Sequence, residues 1–105
     1  FYIIFFLRMK LLAIETEIKS IEEAVKSKLL KQEAIAVLEL KTRGVIKEIY
    51  FNEAHCAVIV LECETKAGAE IYLEKLPLVA EGYIKFEITE LKPYTGFDRL
   101  ETGKD

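Results

Sequence analysis

The sequence predicts an α+β domain built in the order β-α-β-β-α-β. Three observations carry that expectation. Ile84, Phe86 and Ile88 alternate with Lys85, Glu87 and Thr89, the period of a half-buried strand. A broad apolar stripe at helical spacing runs from Val25 to Leu40 and stops near Gly44. Two runs rich in β-branched and aromatic residues, 45–51 and 56–63, flank a short turn segment, Asn52-Glu53-Ala54-His55.

Composition narrows the class. The chain has 105 residues, enough for one domain, and 51% are hydrophobic, too many for a disordered chain. Fifteen basic against 18 acidic residues give a net charge of −3, which argues against a nucleic-acid partner. Two Cys are too few for a disulfide scaffold, and no His/Cys cluster has zinc spacing, so no metal site is expected.

The elements follow in order. Met9-Lys10-Leu11-Leu12-Ala13-Ile14-Glu15 reads as the first strand. Ser20 and Glu23 fit a capping box ahead of the first helix. Its face comprises Val25, Leu29, Ala36 and Leu40, widened by Leu30, Ala34, Val37 and Leu38, with the segment from Lys28 to Thr42 its firm core. Lys41 and Arg43 suit its carbonyl end, and Gly44 stops it. The second strand spans 45–51. The third, 56–63, is nearly all apolar, as in a strand buried on both faces. Thr65 caps a second helix over Lys66–Lys75 with Ala69, Leu73 and Leu76 inward, and Pro77 ends it. The last strand runs from Tyr83 to Leu91. This order is the ferredoxin-like split βαβ: a four-stranded antiparallel sheet with two helices on one face. The other face lacks a cover from its own chain, so a homodimer about a two-fold axis is expected.

The N-terminus stands apart. Residues 1–7 are all apolar, too short to span a bilayer at about 20 residues, and the basic Arg8 and Lys10 follow them, unlike a signal peptide. No membrane partner is expected. Met9 is the one methionine and opens a self-contained strand, so we expect Met9 to be the original start and 1–8 an upstream extension. The domain is then 9–100, with 101–105 a polar tail. Without residues 1–8 the net charge is −4, because Arg8 leaves.

Arg43-Gly44-Val45-Ile46-Lys47-Glu48-Ile49-Tyr50-Phe51, Leu76-Pro77-Leu78-Val79 and Pro93-Tyr94-Thr95-Gly96-Phe97 carry a resemblance, supported by the opening Met9-Lys10-Leu11-Leu12-Ala13-Ile14. Over roughly residues 9–100 the chain resembles the muconolactone isomerase-like proteins of the dimeric α+β barrel superfamily. The resemblance implies a homodimer, pairing as a dimeric α+β barrel, with small-molecule pockets between sheet and helices or at the barrel mouth. It says less about the reaction, because that superfamily holds lactone isomerases, cofactor-free oxygenases, haem-handling enzymes and ligand sensors.

Strand parity selects the candidate residues. Tyr83, Lys85, Glu87 and Thr89 should face away from the helices, where Glu87 could serve as a base or simply pair with a cation. In the second strand Ile46, Glu48, Tyr50 and Asn52 share one face, and Val45, Lys47, Ile49 and Phe51 share the other, which is assigned to the core. Glu48 as proton shuttle and Tyr50 as donor suit an isomerase moving a proton beside a carbonyl. Arg43 and Lys47 could hold a substrate carboxylate, although Arg43 has a sufficient reason as a helix-end cation. Tyr83 and Tyr94 are further candidate substrate contacts; Tyr94, with Thr95 and Phe97, could cap a pocket, cross to a partner or pack the tail.

His55, the single His, falls in a hairpin loop and reads as a surface residue. Cys56 and Cys63, an odd seven residues apart on one strand, cannot pair, and both read as inert thiols of a reducing cytoplasm. RNA-recognition domains share the element order, but the aromatic-and-basic strand signature is absent. Three functions are therefore expected in order: a cofactor-free, muconolactone isomerase-like enzyme acting on a small lactone or carboxylated compound; a non-catalytic dimer that binds a small ligand or regulates; and an oxygenase-like enzyme.

Overall fold

The computed structural model describes residues 8–101. The expectations placed on residues 1–7 and 102–105 lie outside the described residues. The elements are β1 (Met9–Glu17), α1 (Glu23–Thr42), β2 (Ile46–Phe51), β3 (Ala57–Cys63), α2 (Lys66–Glu74), α3 (Pro77–Ala80), β4 (Ile84–Leu91) and α4 (Asp98–Glu101). The four strands form one sheet in the order β2-β3-β1-β4, with every neighbouring pair antiparallel. This α+β arrangement is consistent with a ferredoxin-like fold.

One face of the sheet makes the core. Leu11 and Ala13 of β1 and Ile59 and Leu61 of β3 are buried against Leu40 of α1 and Ala69 and Leu73 of α2. Each fully buried Leu or Ile contributes roughly 1.5–3 kcal/mol relative to exposure. Leu29, Leu78 and Ile84 form a smaller cluster under α3. Phe86 and Ile88 of β4 pack on the main cluster, so the alternation expected there holds.

The first helix departs from expectation at its start. Its N-cap is Glu22, without a side-chain hydrogen bond, and Ser20 lies outside the helix, so no capping box forms. The helix runs unbroken from Glu23 to Thr42, so the turn ahead of Lys28 is helical too. Its buried stripe is narrower than the apolar spacing suggests. Leu29 and Leu40 are buried, and eleven residues at about 100° each return almost to the same side. Val25, Leu30, Ile35 and Leu38 are exposed. Leu38 lies two residues from Leu40, about 200° round the helix, so it cannot share that side.

A register shift between Ile46 and Glu48 corrects the parity expected in β2. Ile46 lies opposite Leu61 and Ile49 opposite Ile59, so both face the core. A bulge at Lys47 lets two residues three apart share a face, which simple alternation forbids. Glu48 and Tyr50 still face away, opposite Val60 and Val58. The expectation that β3 is buried on both faces also fails. Ile59, Leu61 and Cys63 are buried, whereas Val58 and Val60 are half-buried on the face no helix covers.

The second helix matches its reading. The Thr65 hydroxyl accepts from the Gly68 backbone N–H at 2.9 Å. Pro77 ends it and also opens α3 at the first helical position, where its missing N–H costs nothing. Gly82, with φ of 81°, then turns the chain into β4.

Candidate functional site

The uncovered face of the sheet gathers the best candidate groups. Cross-strand register arranges them in rows. Glu87, Ile14, Val58 and Tyr50 make one row, and Thr89, Leu12, Val60 and Glu48 the next. A third row holds Leu91, Lys10 and Glu62. The centre is therefore apolar: Leu12, Ile14, Val58 and Val60, with Ile14 40% exposed. Polar and charged side chains stand along the two edge strands and at both ends, Lys10 and Glu62 at one and Thr16 beside Lys85 at the other.

At the β2 edge the Tyr50 hydroxyl donates to Glu48 Oε1 at 2.7 Å. Two residues apart on a strand, the side chains share a face, and the bulge preceding them puts that face outward. The hydrogen bond to Glu48, reinforced by the carboxylate charge, pushes the Tyr50 phenol above its ordinary value of 10.0. Tyr50 thus keeps its proton and can donate it. The pair is a proton donor beside a proton acceptor on the rim of an apolar surface, which suits proton transfer next to a carbonyl. Both side chains are exposed in the single chain.

The remaining candidates are not gathered there. Glu87 faces the same side from β4, but three strand spacings, about 14 Å, separate it from β2. Arg43 caps the end of α1 on the helix side of the sheet. Its guanidinium lies 3.8 Å from Glu39 and 5.5 Å from the centre of the Tyr72 ring. It borders a shallow groove between α1 and α2 with Leu40, Ile71 and Leu76. Lys47 is exposed at the bulge, and its carbonyl accepts from Lys41 Nζ at 3.4 Å.

Tyr83 precedes β4 and does not share the outward face of Lys85 and Glu87. Its ring packs on the Leu29–Leu78–Ile84 cluster, with Lys19 Nζ 4.9 Å above it. Tyr94 lies past the sheet, 73% exposed, edge-on to Phe97 at 4.9 Å. The helix α4 that follows packs against no other described element. His55 sits in the hairpin loop at φ of 62° and stacks on Phe51 at 4.1 Å. Both thiols are free, and burial pushes that of Cys63 up, which keeps it protonated. Among the described residues no three His, Cys, Asp or Glu side chains gather closely enough to hold a metal ion.

One perturbed carboxyl escaped the sequence reading. Glu33 of α1 accepts the Leu78 backbone N–H at 2.9 Å, and so caps α3 from 45 residues away. Burial pushes its pKa above the ordinary 4.5, the Leu78 hydrogen bond opposes the rise, and the nearby Glu15 charge adds to it. Glu15 itself accepts the Ala57 N–H at 3.0 Å. Both carboxylates hold backbone amides, so their first role is structural. Within the sequence, Glu33 ends the polar run Lys31-Gln32-Glu33 and has Leu29, Leu30, Ala36 and Val37 one helical turn away, and that is the whole of its signal.

Among the described residues no helix is long and apolar enough to cross a membrane. No protein-family model matches the chain, and no curated protein matches it.

Proposed function

We propose that the protein is a homodimeric, cofactor-free small-molecule enzyme of the muconolactone isomerase-like kind, working in the cytoplasm. It moves a proton within a small lactone or carboxylated compound. The dimer forms by pairing of the open sheet faces, as in a dimeric α+β barrel. The observation that carries the reading is the 2.7 Å hydrogen bond from Tyr50 to Glu48 on the rim of that face. Once a partner sheet excludes water, the carboxylate becomes a stronger base, and as it takes the substrate's proton the phenol turns from Glu48 to donate to the developing enolate oxygen.

The test is deuterium incorporation from D2O into a simple enol lactone, followed by proton NMR. Wild type exchanges the proton next to the carbonyl. Glu48→Gln loses about a hundredfold or more, the ordinary worth of a positioned base. Tyr50→Phe loses less. A second reading is a non-catalytic dimer that binds a small ligand on the same face. It is favoured by the exposure of Glu48 and by Glu33, the carboxyl with the raised pKa, lying on the helix side. Ligand binding without exchange in any variant selects it.

A further inference from the structure

We infer that the groove between α1 and α2 docks an acidic amphipathic helix from a different protein. The groove lies on the helix layer, on the opposite side of the sheet from Glu48 and Tyr50, and the inference does not rest on the proton-transfer reading.

The argument starts from α1, which is apolar on two sides. Leu29 and Leu40 face the core, while Ile35 and Leu38, on the far side at about 100° per residue, are each more than half exposed. A helix that is apolar all round is ordinarily covered all round. Here α2 leaves it uncovered. No Cα of α1 lies within 8 Å of a Cα of α2, so the two stand farther apart than directly packed helices, whose axes are about 8–10 Å apart. The gap is an open groove of about 590 Å³, with Ala36, Leu40 and Leu76 in its apolar lining. On the α1 rim Ile35 sits one turn before Glu39, with Leu38 beside it. On the α2 rim stands Ile71, also more than half exposed.

Charge identifies the occupant. Lys28, Lys31, Ile35 and Leu38 follow the three-and-four spacing of one helix side, so two lysines extend the apolar rim. Arg43 and Lys75 border the groove itself. All four cations are exposed, and among the described residues Lys28, Lys31 and Lys75 form no ion pair. Among the described residues Glu39 is the single acid that lines the groove. It lies 3.8 Å from Arg43, too far for a strong charge-assisted hydrogen bond, so the guanidinium keeps donors for an incoming carboxylate. The acids of α2, Glu70 and Glu74, border a different groove, with Phe86 and Ile88 of β4. A chain of net charge −3 thus keeps its α1–α2 side basic.

The shape and charge together exclude the other occupants. A second copy would set one basic surface against another, which costs affinity. A small molecule needs a site that encloses most of its surface, and this groove is open. A flat lipid surface would touch the rims and leave the apolar floor uncovered. A helix laid along the groove meets every requirement. Its apolar side chains, one turn apart, enter over Ala36 and Leu76 between Ile35 and Ile71. Its flanking carboxylates reach Lys31 on one rim and Lys75 on the other.

The experiment uses the full chain with labelled Ile and Leu methyl groups and three probes. The first is a synthetic helix about the length of α1, with leucines along one side and glutamates flanking them. The second is its twin with lysine for every glutamate, and the third is vesicles of equal parts phosphatidylcholine and phosphatidylglycerol. NMR titration at one protein concentration reads both site and affinity, and circular dichroism confirms that each variant is folded. The acidic helix moves the Ile35, Leu38 and Ile71 methyl signals and binds about tenfold or more tightly than its lysine twin, a margin that shrinks with added salt. Lys31→Glu combined with Lys75→Glu reverses the preference. Ile71→Ser weakens the acidic helix without changing its preference over the twin, because this side chain supplies apolar area and no charge. Four results each overturn the inference: equal binding of the two helices; signals that move at Ile14 in place of Ile35 and Ile71; no binding of the acidic helix up to about 1 mM; or binding of the vesicles and of neither helix.

Discussion

Replacing Glu33 separates its two effects, hydrogen bonding and charge. Its carboxylate holds the Leu78 N–H at 2.9 Å, the second amide of α3, whose own N-cap residue Leu76 supplies no side-chain bond. Glu33→Ala leaves that amide without its acceptor and should destabilise the fold by about 1–2 kcal/mol, the usual cost of a lost helix cap. For a domain of this size that is roughly 4–8 °C in Tm per kcal/mol. Glu33→Gln keeps an acceptor in place and removes the charge that burial and Glu15 disfavour.

The pH dependence gives the sign. The folded pKa is raised, so above 4.5 the native state holds a proton that the unfolded state has released. Wild-type stability relative to Glu33→Gln is therefore greatest at low pH and falls as the pH rises through the raised value. Urea unfolding followed by circular dichroism, at a series of pH values for wild type and both variants, measures this directly. A Glu33→Ala variant as stable as Glu33→Gln at neutral pH would refute the capping role. A wild-type-minus-Gln difference that stays flat or grows with pH would refute the raised pKa.

Two further perturbations probe other parts of the account. Leu61 is fully buried at the centre of the sheet, so Leu61→Ala should cost about 2–5 kcal/mol and lower the urea midpoint without changing the slope. Tyr94 and Phe97 are largely exposed and α4 packs against no other described element, so a chain ending at residue 92 should keep the wild-type stability, within about 0.5 kcal/mol, at concentrations where the protein is monomeric. A larger loss would show that this segment supports the sheet.

Where sequence reading worked, the signal was local. The alternation in β4 places Ile84, Phe86 and Ile88 inward because nothing interrupts its pleat. Thr65 caps α2 because hydroxyl and amide lie three residues apart. Glu48 and Tyr50 were legible as a pair for the same reason, since both follow the bulge and keep the two-residue period. Apart from the capping box that Ser20 does not form, the failures are long-range. The bulge at Lys47, which turns Ile46 inward, is fixed by pairing with Leu61 on the next strand. The breadth of the apolar stripe on α1 overstates its burial, because the sheet meets the helix along one narrow side and leaves Ile35 and Leu38 exposed. Glu33 has meaning only once α3 is folded beside it, and Tyr83 joins the Leu29–Leu78 cluster because the strand begins one residue later.

Exposed apolar side chains lie both on the open sheet face and on the outer side of α1, at Ile35 and Leu38, so the two surfaces can be compared within one protein. The central claim, that the sheet face is the one covered by a second copy, is tested most directly by methyl NMR with a soluble gadolinium chelate. The relaxation of Ile14, Val58, Val60, Ile35 and Leu38 methyl protons is followed from micromolar to millimolar protein. The account predicts that Ile14, Val58 and Val60 become protected as concentration rises while Ile35 and Leu38 stay accessible. Protection of the α1 methyls instead, or unchanged accessibility of all five, would contradict it.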